Sequence, residues 1–119
     1  MKENKRFFNL VPELDGQVNV YVYQNTEFKG WHLHQNQEDM IFCVSGKLKI
    51  FLHAENDEYV CTRVLEKGES FVIETDVWHG IQAESIGTTV IYFYEKKFDV
   101  KDTTELPKDH FKKYEHLEY

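Results

Sequence analysis

Two histidines separated by a single residue, His32 and His34, are the residues of this sequence whose spacing first points to chemistry. In an extended strand, residues i and i+2 face the same way, so the two imidazoles project side by side while Leu33 points away. A third histidine, His79, lies on a later strand-like segment between Trp78 and Gly80. An imidazole exchanges its proton near neutral pH and can serve as acid, base or relay. Asp39, with the adjacent Glu38 as a rival, is the nearest carboxylate able to fix a ring tautomer. The same set, His32, His34, Asp39 and His79, is also a donor set for one divalent transition metal such as Fe, Mn, Ni or Zn, ions that imidazole suits.

The elements that would hold these groups are short strands. The 119 residues include nine Phe, seven Tyr and two Trp, side chains that fit a half-buried pleated surface. Segment 18–23 alternates, with Val18, Val20 and Val22 on one face and Asn19, Tyr21 and Tyr23 on the other. Segments 31–34, 39–44, 47–53, 59–65, 70–74, 78–83 and 88–94 follow, divided by turns at Ser45-Gly46, Lys67-Gly68 and Gly87. In segment 47–53, Leu48, Ile50 and Leu52 are expected inward. About eight strands and few helices indicate an all-β sandwich or barrel in a single domain. The core is expected over about 18–94, followed by a charged tail, 95–119. Pro107 could open a short helix in that tail, with Phe111, Tyr114 and Leu117 on one stripe.

Composition narrows the function classes. A net charge of -7 argues against a nucleic-acid partner, which requires a basic face. No apolar run reaches the ~18 residues of a membrane span, and no apolar signal core follows the charged N-terminus. The expectation is a cytoplasmic protein without a membrane partner, in which Cys43 and Cys61 are reduced, buried thiols.

The order of motifs resembles the cupin superfamily, whose fold is a jelly-roll β-sandwich. Its first motif runs Gly, His-x-His, an acid and Gly; Gly30, His32, His34, Asp39 and Gly46 fill it in register. In its second motif Gly68 and His79 fall in register, while Glu74, Asp76 and Ala83 stand where Pro, Gly and Asn are usual. The segments Lys29-Gly30-Trp31-His32-Leu33-His34 and Val77-Trp78-His79-Gly80 look like the sugar-nucleotide branch. That branch includes dTDP-4-dehydrorhamnose 3,5-epimerases and dTDP-sugar 3,4-ketoisomerases; the latter end in a tail similar to Phe111-Lys112-Lys113-Tyr114.

The resemblance implies an isomerase that removes a proton beside the carbonyl of a dTDP-4-keto-6-deoxy sugar during polysaccharide biosynthesis. His32 would be the base, His34 would stabilise the oxyanion or relay the proton, and Asp39 would orient a ring. Tyr21, Tyr23, Lys29, Arg63 and His79 would bind the nucleotide sugar, with Arg63 gripping the diphosphate. Tyr21 and Tyr23 also read as strand packing, Lys47 and Lys49 as solvated positions, and Trp31 and Trp78 as core or interface anchors. No cofactor is expected on this reading. The alternatives are a metal cupin using His32, His34, Asp39 and His79, and a sugar-binding cupin without activity. The resemblance and the aromatic content together imply a homodimer.

Overall fold

The computed structural model describes residues 17–54, 57–94 and 100–118. Its strands are β1 (Gln17–Val22), β2 (Phe28–His34), β3 (Asp39–Ser45), β4 (Lys47–Ala54), β5 (Tyr59–Glu66), β6 (Ser70–Ile73), β7 (Val77–Ala83), β8 (Thr89–Tyr94), β9 (Thr103–Glu105) and β10 (Glu115–Glu118). A four-stranded sheet has the order β1-β8-β3-β6, and a six-stranded sheet the order β10-β5-β4-β7-β2-β9. The eight expected strands are all present. Among the described residues no helix is long and apolar enough to cross a membrane.

Alternation decides what lies between the sheets. From the smaller sheet, Ile41, Cys43 and Val90 point inward with Tyr92 and Tyr94; from the larger sheet, Leu48, Ile50, Leu65 and Ala83 meet them. Leu52 packs at the margin of this cluster, as the alternation of β4 predicts. Cys43 is buried and Cys61 half-buried, and neither is bridged.

The larger sheet is apolar on its other face too. Trp31, Phe51 and Val60 are buried there beneath Phe111, with Phe28, Trp78, Leu106 and Tyr114 around them. The tail supplies that cover, and it does so without the expected helix. Four-residue turns close at Pro107–His110, Asp109–Lys112 and Phe111–Tyr114, and the flanking segments pair as β9 with β2 and as β10 with β5. A short isolated helix forms few bonds for the torsions it fixes. Here the backbone finds partners on two strands already in place. The predicted stripe is broken accordingly: Phe111 is buried, whereas Leu117 is exposed.

Gly46 turns β3 into β4 with φ 78, and a Cβ there would lie 2.4 Å from Thr88 Oγ1 and 2.9 Å from Thr88 Cα. Gly68 has a similar φ of 88 but open space around it. Left-handed backbone costs a residue with a Cβ about 1–2 kcal/mol, and forced overlap in a packed site typically another 1–3 kcal/mol. Gly46→Ala is therefore expected to lower unfolding free energy by about 2–5 kcal/mol, and Gly68→Ala by the backbone part alone. Equal losses in urea titrations would contradict the assigned packing of Thr88.

Candidate functional site

The histidines converge on a cavity of about 400 Å³ between the sheets, lined by Tyr21, Lys29, His32, His34, Asp39, His79, Tyr92, Tyr94, Thr103 and Glu105 among others. β2 lies between β7 and β9, with His32 opposite both His79 and Glu105 and His34 opposite Thr103. The ring centroids of His34 and His79 are 5.1 Å apart, and those of His32 and His79 6.3 Å.

A bulge in β2 aims these side chains. Lys29 pairs with Ile81 and His32 with His79, so two residues, Gly30 and Trp31, oppose Gly80 alone. An extra residue in one strand reverses the facing of everything beyond it. Lys29 and His32, of opposite parity in sequence, therefore both reach the cavity, and Trp31 goes to the outer aromatic cluster. Gly80 has no room for a side chain: a Cβ there would lie 2.5 Å from the Phe28 ring and 3.0 Å from the Lys29 carbonyl oxygen.

Asp39 is the centre of the cluster. One carboxylate oxygen lies 3.5 Å from His34 Nε2 and 3.8 Å from His79 Nε2, and the other accepts a 2.7 Å hydrogen bond from Gln37 Nε2. His79 Nδ1 lies 3.0 Å from the Val77 carbonyl oxygen, so it carries the proton and leaves the Nε2 lone pair facing Asp39. His34 Nδ1 sits 3.4 Å from both the Asp102 carbonyl oxygen and Thr103 Oγ1. Burial opposes a charge on His34, but the hydrogen bond and charge of Asp39, helped by Asp102, outweigh it and hold the ring above its usual pKa. Burial dominates at His79; positive charge on His34 and His32 adds to it, and the ring falls to about 4 despite Val77 and Asp39. At neutral pH His79 is an uncharged lone-pair donor.

His34, Asp39 and His79 each offer a ligand atom within 4.8 Å of the others, and all three residues are buried. Two ligands about 2.1 Å from one tetrahedral ion stand roughly 3.4 Å apart, close to the spacings observed. The neighbours of the outer ring nitrogens and of the second carboxylate oxygen are those that orient metal ligands. The four-residue metal set expected from sequence thus becomes a trio. His32 is displaced toward the tail, its Nδ1 3.6 Å from Glu105 Oε1 and its side chain 37% exposed.

The other expected binding residues divide. Lys29 reaches the cavity, its ammonium 2.7 Å from Asn25 Oδ1 and 3.9 Å from Glu27. Tyr21 lines the cavity, whereas Tyr23 is 2% exposed in the core, its ring stacked on Tyr21 and its hydroxyl bonded to Tyr92. Arg63 is not among the lining residues; its guanidinium lies over the Phe71 ring, where the planar cation gains from aromatic contact instead of gripping a phosphate. Of the two acids weighed from the sequence, Asp39 is buried beside the rings and Glu38 is exposed.

Several site residues lie outside the sequence reading. Tyr92 and Tyr94 could have been found from the alternation of β8. Thr103 and Glu105 had no signal beyond lying in a charged tail. Asp102 accepts the backbone N–H groups of Gln35 and Asn36, each at 3.1 Å, and so ties that tail to the β2–β3 turn. Asp76, where the resembled family has Gly, keeps the left-handed backbone with φ 60 and donates its N–H to the His34 carbonyl oxygen at 2.8 Å. Asp tolerates that conformation better than most residues, so the turn before His79 survives the substitution. A larger cavity of about 510 Å³ lies on the opposite face among Phe28, Trp31, Phe51 and Phe111, and among the described residues no such cluster of histidine and carboxylate lines it.

Comparisons with known proteins agree with this fold. Residues 19–94 match the family model described as Cupin domain. The capsular polysaccharide assembling protein CapF from Staphylococcus aureus is similar at 25% identity and TM-score 0.73, over 88% of this chain and 34% of its own. Oxalate decarboxylase from Bacillus subtilis is similar at 14% identity and TM-score 0.71, over 87% and 28%. KdgF from Halomonas sp. is similar at 17% identity and TM-score 0.63, over 79% and 86%. The chain therefore spans about a third of the length of CapF. No curated protein matches.

The phenols at the cavity floor make a pH prediction. Burial raises Tyr92 and Tyr94 far above the usual tyrosine pKa of 10.0, and neighbouring Tyr23 and Tyr21 respectively add to it. The folded state disfavours their ionised form, so their contribution is complete below the unfolded pKa near ~10 and is lost as pH rises above it. Tyrosinate absorbance of these two groups should then develop together with loss of β-sheet circular dichroism. Full ionisation of all seven tyrosines in a chain that remains folded would refute the assigned burial.

Proposed function

The chain belongs to the cupin family, and within it we propose an enzyme that moves a proton on the carbon beside the carbonyl of a nucleotide-linked keto sugar, in assembly of a cell-surface polysaccharide. One observation carries this reading: a buried His34–Asp39–His79 trio at the floor of a cavity whose walls also hold His32, Lys29, Glu105 and the hydroxyl of Tyr21. The similarity to CapF supports the polysaccharide setting. A volume of about 400 Å³ suits a sugar ring, with the nucleotide extending toward solvent. Two unbridged cysteines fit a cytoplasmic location.

A hydrogen beside a carbonyl is acidified because the resulting negative charge spreads to the oxygen. His32, half-exposed at the cavity wall, takes that proton, and Glu105 opposite it stabilises the imidazolium that forms. Lys29 faces the same space and stabilises the enolate oxygen. Tyr21, on the cavity wall, returns a proton. Asp39 keeps the rings of His34 and His79 in place, and the surrounding sheets exclude water from the enolate.

A second reading is favoured by the trio itself. A divalent transition ion held by His34, Asp39 and His79 would act as a Lewis acid on a bound carbonyl oxygen. On this reading the site takes one divalent transition metal, the alternative set out from the sequence, and it extends to carboxylate or oxygen chemistry if the substrate is not a sugar.

Incubation with a dTDP-4-keto-6-deoxy sugar in deuterated water is expected to place deuterium at C3 or C5, read by mass spectrometry. His32→Ala should slow that exchange about 10²–10⁴-fold. Tight binding with neither exchange nor isomer would identify a sugar-binding cupin instead. Elemental analysis of protein purified without added metal distinguishes the second reading: stoichiometric metal, lost in His79→Ala, is its expected result.

A further inference from the structure

The cavity of about 510 Å³ on the outer face of the six-stranded sheet falls within the ~300–1,000 Å³ range of small-molecule sites. Two parts of the chain build it. Phe28, Trp31 and Phe51 come from β2 and β4; Lys108, Phe111 and Lys112 come from the tail. Trp31, Phe51 and Phe111 are buried, and their rings meet edge to face: Trp31 lies 6.4 Å from Phe51 at 79° and 4.8 Å from Phe111 at 84°. The floor is therefore aromatic and already packed. The rim is charged. Lys108 and Lys112 are exposed, and among the described residues no carboxylate pairs with either. Glu27 also lines the cavity, but it lies 3.9 Å from the Lys29 ammonium, which offsets its charge. Asp109 is the other lining acid, so two ammonium groups stand against one carboxylate.

We propose that this cavity is an effector site for a planar aromatic monoanion of the aryl carboxylate class, whose ring enters the aromatic cleft while its acid group meets Lys108 and Lys112. The apolar walls select a flat ring over a sugar or an inorganic anion. The excess of one positive charge at the rim selects a single negative charge, since Asp109 repels a second. Such a ligand touches sheet and tail at once. It therefore binds only the conformation in which the tail is docked, and stabilises that conformation by mass action. The docked tail also walls the histidine cavity. Leu106 donates its N–H to the Trp31 carbonyl oxygen at 3.0 Å, and β9 just before it sets Glu105 opposite His32 and Thr103 opposite His34. A ligand on the outer face thus fixes groups that line the inner one, and by reciprocity anything that binds better to the walled histidine cavity tightens the outer site. The inference stands whatever the histidine cavity catalyses.

Calorimetric titration of the full chain with naphthalene-2-carboxylate should show one saturable site with Kd on the order of 0.1 mM, ordinary for a ligand of that size. The cation of 2-naphthylmethylamine carries the same ring and should bind about tenfold more weakly or worse. Lys108→Glu combined with Lys112→Glu alters two exposed side chains. It should leave the circular dichroism unchanged and weaken the carboxylate about tenfold or more. Hydrogen exchange read by mass spectrometry should slow in peptides covering 103–114 as the carboxylate saturates the site. No saturable binding, or equal affinity for the cation, overturns the proposal. Undiminished binding to the folded double variant overturns it as well, by placing the ligand elsewhere, the histidine cavity included. Binding without slower exchange over 103–114 overturns the bracing of the tail.

Discussion

A carboxylate enclosed between two sheets is the constraint around which the rest of this protein is arranged. Asp39 has a side chain 4% exposed, and an ionised carboxylate without partners in such a place costs several kcal/mol. His34, His79 and Gln37 surround it, from two different strands and a turn. Each partner is held in its turn: His79 by the Val77 carbonyl, His34 by the Asp102 carbonyl and Thr103. Removing the carboxylate would leave the His34 ring and the Gln37 amide without their acceptor. The requirement to satisfy one buried carboxylate therefore fixes the positions of three segments distant in sequence, and the same geometry sets three possible ligand atoms within 4.8 Å of one another.

That arrangement depends in turn on how β2 crosses the sheet. A regular strand would present Lys29 and Trp31 to one side and His32 and His34 to the other. The bulge opposite Gly80 puts Lys29 with the histidines and frees Trp31 to anchor the outer cluster. One irregularity thus serves both faces, since the tail packs on Trp31 while its strand β9 brings Glu105 to His32. The tail is a wall of the site as well as a cover for the sheet. Anything that loosens Phe111 from Trp31 also loosens the groups that orient His32 and His34.

How much of this was legible in the sequence follows from which interactions are local. Strand alternation is local, so the eight strands, the inward set of β4 and the pairing of His32 with His34 could be read directly. The convergence of His79 with them came from motif order and is realised as strand register. Three things could not be read. The parity change at Gly30–Trp31 depends on what lies opposite, namely a glycine fifty residues away in the chain. The tail follows Pro107 with turns rather than a helix because unoccupied strand edges offered its backbone partners, a tertiary effect that outweighs the helical stripe. Arg63 looked like a phosphate ligand by residue type alone, and only the fold shows it spent on Phe71.

The two sheets resolve one problem in different ways. Each carries apolar side chains on its outer face as well as its inner one, because their strands are rich in Phe, Val, Ile and Trp at both parities. For the six-stranded sheet the answer is in the same chain: residues 103–114 fold back over it and, in doing so, complete the histidine-lined cavity. For the four-stranded sheet the described residues supply no equivalent layer.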